Sequence, residues 1–238
     1  MKQSNTVTTE PIKRIWVTGA SNGLGHALAS HLLSLGHQVA TSGRTPFEPL
    51  PDRPKSQCLV LDGDLSDAAD AEAMSRRIQE HWGALDLLIL NAGSCDYLDD
   101  HSSGTAMFEA LIASNVAASS HCLNSALPLL LAGKKAHVVG ILSSITALQQ
   151  HESSQWPTAQ NSLGQWFSET RSQLSPNEID LTLIAPQTLK KPVTANIALP
   201  QQWTADTAAL AIIDRLPQRM PEMVLEALSV SSLWPLRR

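Results

Sequence analysis

The sequence predicts an α/β fold: a doubly wound, mostly parallel sheet with helices on both faces. Three observations predict it. Short apolar runs alternate with segments whose apolar residues recur at helical spacing. One run, Leu87-Leu88-Ile89-Leu90, contains no polar residue, as expected of a strand covered on both faces. A glycine-rich stretch joins the first strand directly to the first helix.

The elements follow in order. A strand at 15–17 opens the pattern. Leu24, Ala27, Leu28, His31, Leu32 and Leu35 then recur at helical spacing until Gly36 stops the helix. Residues 38–42 read as the second strand, followed by a proline-rich loop over 46–54. A third strand at 58–61 leads to a helix over 67–81, with Ser66 as its N-cap. Leu87–Leu90 is the fourth strand. A long helix covers 105–131, a fifth strand 137–142, and a further helix 153–174 with Pro157 in or near its first turn. The sixth strand spans 179–184. Beyond Pro186 the pattern weakens to a helix near 205–215 and a short strand at 223–225. No repeat or linker divides the chain, so 11–238 is expected to form a single domain behind a flexible lead-in, 1–10.

Composition narrows the function classes. Apolar residues are 43% of the 238, enough to build a substantial core. A net charge of −5 argues against nucleic acid as a partner, because phosphate backbones need a basic face. The lead-in is polar and lacks the apolar stretch of a secretory signal. The longest apolar candidate for a membrane span, near 123–131, is interrupted by Asn124, Ser125 and Pro128, so no membrane association is expected. Cys58, Cys95 and Cys122 are far apart and odd in number, which reads as buried free thiols in a reducing, cytoplasmic setting. The histidines show no metal-ligand spacing.

The chemistry-bearing feature is Thr18-Gly19-Ala20-Ser21-Asn22-Gly23-Leu24-Gly25. Gly19 allows a tight turn after the strand, Gly23 leaves room for a pyrophosphate to approach the backbone, and Gly25 lets helix and strand pack closely. The amides at the helix start then face the anion. Strand, glycine turn and helix in this order make the predicted sheet Rossmann-type and predict dinucleotide binding.

The spacing Thr-Gly-x-x-x-Gly-x-Gly resembles that of the short-chain dehydrogenase/reductase family, and further residues match in order. Asp64-Leu65 after the third strand resembles the family's adenine-contacting pair. Asn91-Ala92-Gly93 ends the fourth strand like its Asn-Ala-Gly motif. Asn115 stands in the long helix where the family places a structural and catalytic Asn, and Ser144 stands at the catalytic serine's place. The resemblance covers about residues 12–200. It implies NAD(P)-dependent oxidoreductase chemistry on a small carbonyl or alcohol. It also implies assembly as a homodimer or homotetramer through the two long helices, where Trp166 and Phe167 are either interface anchors or core.

Cofactor choice rests on the end of the second strand. NAD binders usually place an acidic residue there to hold the ribose 2′-hydroxyl. The chain instead reads Thr41-Ser42-Gly43-Arg44, and Arg44 can pair with a 2′-phosphate. NADP(H) is therefore expected over NAD(H).

The catalytic segment departs from the family. Its members use a Tyr-x-x-x-Lys pair; here Trp156 stands at the tyrosine position and Gln160 at the lysine position. An indole N–H is a donor only, and Gln160 brings no charge to lower a neighbour's pKa. Pro186 is followed by Gln187 rather than the family's glycine, and Lys191 falls where a carboxamide-binding Thr is expected, with Thr188 and Thr194 as imperfect substitutes. The short segment after Met223 also differs from the family's usual C-terminus, and nothing at 197–209 indicates a substrate class. Three readings remain: an NADP(H)-binding member that is weakly active or inactive; an active reductase with a substitute proton donor from His151, Lys190 or Lys191; and a non-catalytic scaffold, against which the intact glycines and Asn91 speak.

Overall fold

The computed structural model describes residues 11–43, 45–48, 55–91, 105–142, 163–186 and 204–225. Among them, seven strands pair in parallel as one sheet: β1 (Arg14–Thr18), β2 (Gln38–Gly43), β3 (Cys58–Asp62), β4 (Leu87–Leu90), β5 (His137–Ile141), β6 (Asp180–Pro186) and β7 (Glu222–Leu225). Their order is β3-β2-β1-β4-β5-β6-β7. The chain therefore builds outward from β1 in one direction, then crosses to β4 and builds outward in the other. That reversal opens a crevice beyond the carboxyl ends of β1 and β4, where ligands of such sheets bind. The Rossmann-type architecture expected from the sequence is the one observed.

Five α-helices lie among the described residues: α1 (Gly23–Ser34), α2 (Ala68–Trp82), α3 (Thr105–Leu131), α4 (Leu163–Leu174) and α5 (Ala205–Arg215). Alternate strand residues face opposite sides of the sheet. Trp16, Leu88 and Val138 share one core with Ile78 of α2, Leu130 of α3 and Phe167 of α4. Ile15, Ile89 and Val139 share the other with Leu28 of α1 and Ile212 of α5. Leu87–Leu90 sends two residues into each core, which is why it carries no polar residue.

Local chemistry corrects two expectations. The N-cap of α2 is Asp67, not Ser66: its carboxylate accepts from Ala69 N–H at 2.8 Å. Ser66 is instead drawn into a turn in which its own N–H donates to the Asp64 carboxylate at 2.9 Å. β6 also runs two residues past its expected end, because Ala185 and Pro186 pair with Val224 and Leu225 of β7. Phe167 belongs to the core; a Cβ on Gly140 would lie 2.4 Å from its ring. Trp166 is half-buried at the edge of the same core. Cys122 is buried, Cys58 only half-buried, and Cys95 lies outside the described residues. No described helix is long and apolar enough to cross a membrane.

The end of the sheet away from the crevice is held by polar contacts. The Asp86 carboxylate accepts from Arg14 Nε at 3.0 Å, Arg14 Nη2 at 2.8 Å, and the backbone N–H groups of Arg14 at 2.9 Å and Lys134 at 2.8 Å. Burial alone would raise its pKa, but these donors together hold it below the usual carboxylate value. An Asp86→Ala change strands the Arg14 guanidinium and both amides. It is expected to cost about 3 kcal/mol, read as a lower urea midpoint at unchanged slope.

His137 titrates from the same end of the sheet. The Thr182 hydroxyl donates to the Met220 carbonyl at 2.6 Å, so it accepts from His137 Nε2–H at 2.9 Å. Burial, reinforced by the charge of Arg219, lowers the imidazole pKa to about 4. Below the unfolded imidazole's ~6.5 the unfolded chain binds a proton that the folded chain refuses, so stability falls with pH down to about 4. The expected slope from this group approaches roughly 1.4 kcal/mol per pH unit. His137→Gln, which keeps an N–H donor, should flatten that limb in denaturant titrations at pH 7 and pH 5. Asp86 acts with the same sign at lower pH: its lowered pKa contributes stability that is fully present above the unfolded carboxylate value and is lost as pH falls from there through the folded one.

Candidate functional site

The crevice between β1 and β4 is built by the turn after β1. Gly19 and Gly23 take φ of +62° and +55°, a backbone region that side chains disfavour. Gly25 is needed for a different reason. A Cβ there would lie 2.2 Å from the Gly19 carbonyl oxygen and 2.5 Å from Asn91 Nδ2, so only glycine lets α1 pack this closely.

The turn is fixed on both sides. Toward β4, Asn91 N–H donates to Thr18 Oγ1 at 2.9 Å and Asn91 Nδ2 donates to the Gly19 carbonyl at 3.2 Å. Thr18 Oγ1 in turn donates to the Ile89 carbonyl at 3.3 Å. Toward β2, Ala20 N–H donates to the Ser42 carbonyl at 3.0 Å, and the buried Trp16 Nε1–H donates to Ser42 Oγ at 3.0 Å. The Ser21 hydroxyl donates to the Thr45 carbonyl at 2.5 Å and lies 3.3 Å from Thr45 N–H.

The start of α1 differs from those of α2 and α5. Asp67 caps α2 with its side chain, and Thr204 caps α5 in a reciprocal capping box. Asn22, at the same place on α1, makes no side-chain cap, and the first turn holds no acidic residue. The first intrahelical bond runs from His26 N–H to the Asn22 carbonyl. The amides of Gly23, Leu24 and Gly25 precede it, as the positive end of the helix dipole. Asn22 and Gly23 are exposed, while Leu24 is half-buried. This arrangement suits an anion.

The other expected residues divide clearly. Asp64 is exposed just past β3; its carboxylate accepts from Ser66 N–H, and its own N–H donates to Asp70 Oδ2 at 2.8 Å. Leu65 turns its side chain into the core, and its carbonyl oxygen lies 3.4 Å from His121 Nδ1. Asn115 is buried on α3. Pro186 closes β6. Arg44, Ala92, Gly93, Ser144, His151, Trp156, Gln160, Lys190 and Lys191 lie outside the described residues. The Asn91–Thr18 brace and the Ser21–Thr45 contact were not anticipated from the sequence. A threonine before the first glycine and a glycine closing β2 were their only signals.

The model of the short chain dehydrogenase family matches residues 13–202. The chain belongs to this family. Among curated relatives, a Myxococcus xanthus uncharacterized oxidoreductase is 27% identical over 80% of this chain and 78% of its own length. The mouse dehydrogenase/reductase SDR family member 7 is 28% identical over 67% of this chain, which spans only 50% of that relative. The Xanthobacter autotrophicus 2-(R)-hydroxypropyl-CoM dehydrogenase is 25% identical over 85% and 83%. A solved Burkholderia cenocepacia short-chain dehydrogenase in complex with NADP superposes with a TM-score of 0.71 at 18% identity, covering 90% of this chain and 88% of that one. One from Streptomyces avermitilis gives 0.69 at 19% identity, covering 91% and 89%. At these identities the structural likeness shows the short-chain dehydrogenase fold alone.

Proposed function

We propose that this short-chain dehydrogenase binds NADP(H) at the crevice between β1 and β4 and transfers hydride weakly or not at all. The uncapped start of α1 carries the binding half. Its amides, the absence of a carboxylate in its first turn, and the close approach allowed at Gly25 fit a pyrophosphate. In this reading Gly19, Ser21, Asn22, Gly23, Leu24 and Gly25 cradle the phosphates. Asp64 and the Leu65 backbone border the adenine, and Asn91, Ala92, Gly93 and Pro186 border the rest of the dinucleotide. Arg44 pairs with the 2′-phosphate, since β2 offers no carboxylate for a free 2′-hydroxyl. The Burkholderia cenocepacia complex with NADP supports that choice.

When bound, the nicotinamide supplies or accepts a hydride. The protein must move the matching proton, and here the chain falls short. Ser144 and Asn115 remain at the family's positions, so a carbonyl can still be polarised. Trp156 donates a hydrogen bond but cannot release a proton near neutral pH, and Gln160 supplies no positive charge. An NADPH-oxidation panel over aldehydes, ketones and quinones tests the chemistry: the reading expects turnover near background with every class. Robust turnover abolished by His151→Ala would instead establish the substitute-donor reading. A chain that binds neither NADPH nor NADH would leave the scaffold reading.

A further inference from the structure

We infer that His121 is a positioning residue: through the Leu65 carbonyl it holds the turn after β3 in the shape that reads the edge of the adenine. The inference rests on the NADP(H) reading, which places Asp64 and the Leu65 backbone beside the base, and deepens it. The imidazole stands on α3, 56 positions from Leu65 in the chain, with Nδ1 3.4 Å from the Leu65 carbonyl oxygen. A carbonyl only accepts, so Nδ1 carries the proton and donates. The register of α3 is fixed one turn further on, where the Ser75 hydroxyl of α2 donates to the Ser125 carbonyl at 2.6 Å. Positions 121 and 125 share a helix face, so that bond keeps His121 turned to Leu65.

What the histidine completes is visible in the turn's own bonds. The Asp64 carbonyl accepts from Asp67 N–H at 2.9 Å, Asp64 N–H donates to Asp70 Oδ2 at 2.8 Å, and Ser66 N–H donates to Asp64 Oδ1 at 2.9 Å. The peptide plane between Leu65 and Ser66 is thus held at its N–H by Asp64 and at its carbonyl by His121. The plane before it is held at its carbonyl by Asp67. In a trans peptide the N–H and C=O point opposite ways, so Leu65 N–H is aimed away from that bond. Among the described residues nothing accepts from it. This donor stands next to the carboxylate of the exposed Asp64, an acceptor. A donor beside an acceptor matches the adenine edge, where the N6 amino group donates and N1 accepts. Hypoxanthine inverts that edge: its O6 accepts and its N1–H donates. Without His121 the Leu65–Ser66 plane is held at one end only, and the pair loses its alignment.

The test compares NADPH with its hypoxanthine analogue, deamino-NADPH, by fluorescence titration of the full chain. The unaltered chain is expected to bind NADPH about tenfold more tightly, because the inverted edge sets donor against donor and acceptor against carboxylate. His121→Leu keeps the bulk and removes the donor. It should weaken NADPH about three- to tenfold, the range of one hydrogen bond, and move the analogue by no more than about twofold. His121→Asn, whose amide nitrogen stands near the Nδ1 position, should restore most of the preference for adenine. A merely structural histidine would weaken both nucleotides alike. Thermal unfolding checks that each variant folds; where His121→Leu does not, His121→Ala is read in its place. If the ratio of the two affinities is the same in the donor-less variant as in the unaltered chain, or if His121→Asn leaves a narrowed ratio narrow, the inference is overturned while the NADP(H) reading stands. Equal binding of NADPH and deamino-NADPH by the unaltered chain overturns it in the same way. If the unaltered chain binds neither, the NADP(H) reading falls with it.

Discussion

A Gly25→Val variant is expected to lose NADPH affinity by at least ~100-fold, about 2.7 kcal/mol, and to lose roughly 1–3 kcal/mol of folding stability. The first branch carbon alone would enter the Gly19 carbonyl at 2.2 Å and the Asn91 amide at 2.5 Å. Neither neighbour can yield cheaply. The Gly19 carbonyl is backbone fixed in the turn, and the Asn91 amide is already bonded to it. The helix must therefore move off the strand, taking the amides of Gly23, Leu24 and Gly25 with it. Gly23→Ala is the contrast. A Cβ at Gly23 meets nothing within 4 Å, so its cost is conformational, roughly 1–2 kcal/mol from the left-handed backbone. Calorimetric titration and thermal unfolding of both variants separate the two effects. Unchanged NADPH binding by Gly25→Val would mean that the cradle does not hold the phosphates.

The second large effect is a gain. Trp156→Tyr combined with Gln160→Lys is expected to raise NADPH-dependent carbonyl reduction by about 10²–10⁴ over the unaltered chain, the range a positioned general acid commands. Neither change should suffice alone. An isolated tyrosine titrates near 10, and without the lysine nothing lowers it; the lysine alone has no phenol to act on. Single-turnover rates with a simple aldehyde, measured on all three variants, test this. If the double variant folds and binds NADPH yet gains nothing, Trp156 and Gln160 do not occupy the catalytic positions.

How far the sequence was legible follows from what each feature depends on. Leu87–Leu90 could be read because burial on two faces removes every polar residue, a purely local signature. The helix Thr105–Leu131 was legible through Pro128, since its apolar spacing persists beyond it and Ala132 N–H still reaches the Pro128 carbonyl. The α2 cap was misplaced by one residue because Ser66 and Asp67 are both competent cappers. Only the competing turn at Asp64 decides between them. The shape of the turn after β1 was legible because glycine spacing encodes backbone conformation directly, and Gly19 and Gly23 do take positive φ. The braces around it were not: Asn91 to Gly19 and Ser21 to Thr45 join residues 72 and 24 positions apart, and such partners depend on strand order. The same holds for Asp86, whose donors come from β1 and from the turn before β5.

The turn from Thr18 to Gly25 is expected to bind a phosphorylated dinucleotide. Calorimetric titration of the full chain with NADPH, and in parallel with NADH, tests it most directly. Saturable binding of one NADPH per chain, tighter than NADH, is the expected result. Absence of saturable binding by either nucleotide would contradict it.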